Sequence, residues 1–281
     1  MYATGCKIIG KELLVMKRKL TYSLYFGVIT LFAYVISIPY LLHVSGPTIE
    51  QLNELVDTPI TTSQYILGSG INIVLITFLF SMIGIWLSPK VGLKWSWIRA
   101  LFDKQVKPRW DRPFLWMAVV WGVISTVFIT LLTALVFAKN IPNFTEINEE
   151  MDMPWWVGLT TVFQGGISEE LMMRFGLMTL IVWLLSKVFM RKREKREVIS
   201  PWVYWIAIIG ASLVFGFGHL SLAQSVYGGN SLWVILYVLI GNGFAGLGFG
   251  YFYWKRGLEY AIVSHMTADL MLHFVIPLLP F

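Results

Sequence analysis

Charge is scarce in this chain. Asp, Glu, Lys and Arg make up 14% of its 281 residues, against about 25% in soluble domains. Cysteine is nearly absent. Cys6 stands alone, which excludes a disulfide framework and a cysteine metal site and leaves an inert thiol as its plainest reading. No His-Glu-x-x-His run is present, and no strand precedes the glycine-rich stretch Gly241–Gly250, so that stretch is not a nucleotide loop. Its Gly246 and Gly250 have the GxxxG spacing of a close helix-packing face, and Asn242 beside them reads as a packing residue or a hydrogen-bond donor into a site.

What is abundant is apolar. Hydrophobic residues reach 57%, and runs long enough to cross a hydrocarbon core of about 30 Å occupy 20–43, 66–88, 114–138, 155–189, 201–220, 232–254 and 258–280. The expectation is an all-α, polytopic membrane helix bundle of seven to eight spans. The count is open because 155–189 is long enough to bend, project or hide an eighth. The first run is too long for the apolar core of a cleavable signal and reads as an uncleaved anchor. A basic segment 1–19 precedes helices within 20–154 that have the character of scaffold or substrate guides, followed by a polar-bearing core, 155–281.

Basic residues alternate from loop to loop. The first segment holds Lys7, Lys11, Lys17, Arg18 and Lys19, and the second loop carries seven Lys and Arg between Lys90 and Arg112. Arg191, Lys192, Arg193, Lys195 and Arg196 mark the fourth loop, and Lys255 and Arg256 the sixth. The loops near 50–57, 146–152 and 221–231 hold none, apart from Lys139 at a span edge. The positive-inside rule then predicts a cytoplasmic N-terminus and an outer C-terminus. The net charge of +6 is accounted for by anionic lipid headgroups. The lipid bilayer is the expected partner and nucleic acid is not.

Against this background, Glu169, Glu170 and Arg174 are anomalous. A charge at the centre of a membrane helix costs roughly 2.5–3.5 kcal/mol for Asp, Lys or Arg on insertion scales. Glu170 and Arg174 are four apart, a natural intrahelical ion pair. Glu169 lies about 100° further round the helix, free to face elsewhere and to serve as a general base. The bland reading is that both acids only neutralise Arg174, although one would suffice. Phe215 and His219 share a face of the next run. Glu169 and His219 lie equally far from the basic loop between them, at similar height in an antiparallel hairpin. His265 and Asp269 are again four apart, which lets Asp269 fix the imidazole tautomer, with His273 one turn beyond as a site residue or a lipid-edge one. His265 lies only about nine residues from the Lys255–Arg256 loop, so either that loop is recessed or the fourth and fifth spans protrude.

Read in order, Glu-Glu-x-x-x-Arg (169–174), Phe-x-x-x-His (215–219) and His-x-x-x-Asp (265–269) resemble the motifs of the CAAX protease and bacteriocin-processing (CPBP) family of intramembrane endopeptidases, related to the enzyme that trims prenylated CAAX proteins. The resemblance covers roughly 155–280. The family's last motif ends in Asn or Asp, here Asp269. The resemblance implies that Glu169 and His219 activate a water against a peptide carbonyl, that His265 and Asp269 stabilise the oxyanion, and that Glu170, Arg174 and Phe215 support them. It implies a membrane-embedded or membrane-proximal peptide or protein as substrate and no cofactor, with zinc as the alternative. Competing readings are a non-catalytic interaction protein in bacteriocin self-immunity or beside a sensor kinase, and a proton-relay transporter. The transporter reading fits poorly because the polar residues crowd one half of the chain instead of repeating in both.

Overall fold

The computed structural model describes residues 2–151, 153–190, 198–229 and 231–279. The basic loop residues Arg191–Arg196 and the side chains of Cys6, Lys7 and Lys11 lie outside what is described. Among the described residues there is no strand, and seven helices are long and apolar enough to cross a membrane. They are α1 (Leu13–Val44), α2 (Thr62–Lys90), α3 (Arg112–Asn140), α4 (Trp155–Phe189), α5 (Pro201–Tyr227), α6 (Leu232–Lys255) and α7 (Leu258–Leu278). The protein is a multi-pass membrane bundle. The long run at 155–189 is one helical span, not two.

The side chains are arranged for an apolar surround. Leu24, Phe32, Leu67, Leu79, Trp116, Leu135 and Phe217 project outward, exposed along the flanks of the spans. The largest fully buried side chain is instead Arg174. A helix satisfies its own backbone, so it can present bare hydrocarbon to lipid, while polar side chains turn inward.

Span α4 is the axle. It packs against α1, α2, α5, α6 and α7, and it departs from α-helical winding at Gln164–Glu169 and Leu171–Met178, where the turns widen to π geometry. Such wide turns frequently accompany functional sites. One consequence is visible at Thr179, whose hydroxyl donates to the Arg174 carbonyl five residues back.

The two ends of the bundle differ. At the end bearing the basic loops, Phe26, Trp95, Phe175, Val203, Tyr204, Tyr253 and Leu258 belong to one dense core. The connection between α2 and α3 folds over the α6–α7 turn. Leu258 N donates to Lys94 O at 2.9 Å. The buried Glu259 carboxylate accepts from the backbone of Trp97 at 2.6 Å and of Ile98 at 3.0 Å, satisfying N–H groups in the first turn of the short helix Ser96–Ala100. Tyr260 Oη accepts from Asp111 N at 2.7 Å. The start of α7, Leu258–Tyr260, is therefore covered by the α2–α3 connection, while Lys255 and Arg256 stay exposed, so the recessed-loop expectation for His265 holds only for the residues after the basic pair.

Asp111 closes this roof. It accepts from Arg256 Nε at 2.7 Å and caps α3 through Phe114 N at 3.3 Å. The Arg256 hydrogen bond is the main force holding its carboxyl below the ordinary carboxylate range. A folded pKa below the unfolded value, about 3.9 for Asp, contributes stability above that pH and loses it as pH falls through the folded value. Asp111→Asn keeps the cap and removes the charge. It should lower the thermal midpoint in detergent at pH 7, with the difference from wild type shrinking towards zero below about pH 4. A pH-independent difference would assign the effect to something other than this ion pair.

Candidate active site

The site is built on a buried charge chain. In the widened turns of α4, Glu170 faces the bundle interior and meets Arg174 on its own helix, Oε1 to Nη1 at 2.9 Å, both side chains at most 1% exposed. The same Glu170 oxygen accepts from His265 Nδ1 of α7 at 2.8 Å. Arg174 Nη2 reaches Gly246 O of α6 at 3.3 Å, and its guanidinium lies 4.7 Å from the ring centroid of Phe215 and 5.2 Å from that of Phe249. Gly246 makes this approach possible. A Cβ there would come within 2.8 Å of Arg174 Nη2 and 2.9 Å of Ser212 Oγ.

His265 is accordingly oriented by Glu170 and not, as its own-helix spacing implied, by Asp269. Nε2 of His265 stands 3.6 Å from Asp269 Oδ1, beyond a hydrogen bond. The spacing argument sees only one helix, whereas the inter-helix carboxylate is nearer and better placed. Phe249 stacks on the imidazole at 4.5 Å with the planes 16° apart, and Phe215 meets it edge-on. A carboxylate only accepts, so Nδ1 of His265 carries the donated proton and Nε2 points towards Glu169 and Asp269.

Glu169 makes no direct ion pair with Arg174. Its carboxylate, 22% exposed, stands 3.9 Å from His219 Nε2 through Oε1 and 3.8 Å from His265 Nε2 through Oε2. The similar-height expectation for Glu169 and His219 therefore holds in the structure. His219 Nδ1 donates to Phe215 O at 2.9 Å, which leaves Nε2 as the acceptor in the neutral ring. Two acceptors 3.9 Å apart are too distant to bond directly and close enough for one water to bridge.

These groups face a cavity of about 450 Å³ whose walls include Glu169, Phe215, His219, His265, Asp269 and His273. His273 is thus a wall residue and not a lipid-edge one. Gly218 faces open space, while Gly216 packs against Leu239. The earlier spans also reach the cavity. Tyr40, Leu41 and Val44 of α1 and Thr126 and Ile129 of α3 line it, and Ser37 bonds Gln164 beside it. Sequence reading missed Tyr40, Phe249 and Gly165. A Cβ on Gly165 would overlap the Asp269 carboxylate and come 3.2 Å from His265 Nε2. The Gly-Gly pair just ahead of Glu169 was the available signal for this close approach.

The walls also show a direction. The cavity lies at mid-span and in the halves of the helices that lead to the loops without basic residues, with His265 and Phe249 at its floor. The polar cavity thus marks the end with the non-basic loops as the hollow end of the site, and the dense core lies towards the other.

Among the described residues, no group of three His, Cys, Asp or Glu is arranged to hold a metal ion. Ligands about 2.0–2.2 Å from a tetrahedral zinc stand about 3.4 Å apart. Here His265 Nδ1 is already engaged by Glu170, and the remaining nitrogen–oxygen separations are 3.6 to 3.9 Å. The residues as placed do not fit zinc.

Breaking the buried pair should be costly. Arg174→Met, which strands the Glu170 carboxylate, is expected to destabilise the protein by about 3–5 kcal/mol. Arg174→Met with Glu170→Gln should cost less than the sum of the two single changes. Unfolding in detergent for the four proteins of this cycle measures the coupling, and strict additivity would contradict it.

Residues 151–271 match the family model described as type II CAAX prenyl endopeptidase, Rce1-like. No curated protein and no solved structure matches the chain. The match bears out the resemblance carried by the three motifs and contains Glu169, Glu170, Arg174, Phe215, His219, His265 and Asp269. Tyr40 and His273 lie outside it. The family is one of peptidases.

Proposed function

We propose that this membrane protein is an intramembrane endopeptidase that hydrolyses a peptide bond of a membrane-embedded or membrane-proximal protein or peptide. The observation that carries the reading is the pair Glu169–His219, two acceptors 3.9 Å apart on the wall of a cavity inside an apolar bundle. A water held between them would donate one proton to Glu169 and the other to His219 Nε2, leaving a lone pair for the scissile carbonyl. Glu169 takes the proton as the water attacks and returns it to the leaving amine, general base and then general acid. The negative charge that develops on the carbonyl oxygen is met by His265, with both ring nitrogens protonated, and by Asp269, as a protonated donor or as a support for His265. Glu170 and Arg174 hold His265 in register. In this reading 155–281 is the catalytic core, and 20–154 frames it and guides the substrate.

General base removal typically costs 10²–10⁴-fold in rate. Glu169→Gln and His219→Ala should each reduce cleavage of a peptide library by the purified protein by at least about 100-fold, with normal accumulation in the membrane. A chelator should leave wild-type cleavage intact; loss under chelator with recovery on adding zinc would replace the water-activation scheme by a metal one. If Glu169→Gln retains full function in cells, the site is architectural and the immunity or sensor-kinase-partner reading takes its place.

The alternation of basic loops supports a cytoplasmic N-terminus, and in that orientation the hollow end opens away from the cytoplasm. With Cys6 replaced by serine, a cysteine at Asp57 should react with an impermeant maleimide on intact cells. A cysteine at Lys104 should react only after permeabilisation. The reverse pattern would turn the cavity towards the cytoplasm.

A further inference from the structure

The cavity holds a second polar pair that water activation does not use. Tyr40 of α1 and His273 of α7 meet edge to face, ring centroids 5.4 Å apart at 71°, on the wall that also carries Glu169 and Asp269. Neither side chain hydrogen-bonds any described residue of the protein, although a phenol and an imidazole in a largely apolar interior both need partners. Both are held in place. His273 is seated against Gly158 of α4, where a Cβ would meet its backbone. Tyr40 follows one turn after Ser37, which is tied to Gln164 of α4.

Position gives the pair its ligand. His273 lies four residues past Asp269 and lines the same cavity, about 6 Å further along α7 at helical rise, towards the hollow end. An extended peptide advances about 3.3 Å per residue and presents carbonyls to one side at every second residue. With the scissile carbonyl at Glu169 and His219, the next carbonyl on that side falls about 6.6 Å away, an offset close to that of His273 from Asp269. A phenol O–H and an imidazole N–H are neutral donors with no described residue to donate to, and a main-chain carbonyl supplies the acceptor without an added charge.

We propose that Tyr40 and His273 form a subsite that binds the main chain of an extended peptide two residues from the bond that is cut. The proposal rests on the endopeptidase reading and makes α1, outside the family-matched segment, part of the substrate-binding surface. It also means that the substrate is unwound at the site, because a helical peptide keeps its carbonyls for itself.

The test uses the full-length protein in detergent and a fluorogenic peptide selected by library cleavage. Tyr40→Phe and His273→Leu should each raise KM about 3–10-fold, the loss of one hydrogen bond, with kcat within about threefold of wild type. His273→Gln, which keeps a donor, should recover most of the loss. The same two changes made in the Glu169→Gln background should weaken peptide binding by the same factor, read as Kd by fluorescence anisotropy. Wild-type cleavage with KM and Kd indifferent to both substitutions overturns the subsite alone. A fall in kcat at unchanged KM also overturns it. A wild type that neither cleaves nor binds any peptide overturns the endopeptidase reading and the subsite with it.

Discussion

A guanidinium with no access to water has to be neutralised where it stands, and the arrangement of this bundle follows from that requirement at Arg174. The nearest acid is one turn back on the same helix, and Glu170 supplies it at 2.9 Å. A carboxylate oxygen has capacity for more than one donor, so the same atom reaches across to His265 at 2.8 Å and ties α7 to α4. The flat faces of Phe215 and Phe249 fill the remaining space around the cation, bringing α5 and α6 into the same knot. One buried charge thus sets the mutual placement of four helices. This is costly architecture compared with an apolar core, and its return is positional: His265 is held in one orientation beside Glu169.

With Arg174 satisfied by Glu170, Glu169 is left over. Its carboxylate looks into the cavity towards two imidazoles, each just beyond hydrogen-bond distance. Buried and cavity-facing glutamates, adjacent in sequence, thereby divide two tasks that a single acid could not perform. The widened π turns of α4 allow the division, because they place consecutive residues inside the bundle without breaking the span.

The two ends of the bundle are built differently. The aromatic and aliphatic core at the basic-loop end, roofed by the α2–α3 connection and anchored by Glu259, Tyr260 and the Asp111–Arg256 pair, forms a closed plug. The opposite half is open enough for a 450 Å³ cavity. In the proposed reaction, a hydrolytic water has to be admitted to this cavity.

Much of this was legible in the chain. Hydropathy alone located the seven apolar runs, since about twenty consecutive apolar residues have few other uses, but left open whether 155–189 held one span or two, which the structure decided. The cost of charge in lipid singled out Glu169, Glu170 and Arg174 before any coordinates. Intrahelical pairs such as Glu170–Arg174 could be read because i and i+4 are always neighbours. Symmetric distance from a loop placed His219 level with Glu169, because antiparallel helices rise equally per residue. What sequence could not supply was any contact between helices that no loop relates closely. Glu170, and not Asp269, orients His265; Phe249 stacks on it; Gly165 makes room for Asp269; and Tyr40, 129 positions before Glu169, closes the cavity wall. Helical periodicity fixes which face a residue occupies and at what height. It leaves open which neighbour that face meets, and only the packing of α1, α6 and α7 around α4 decided that.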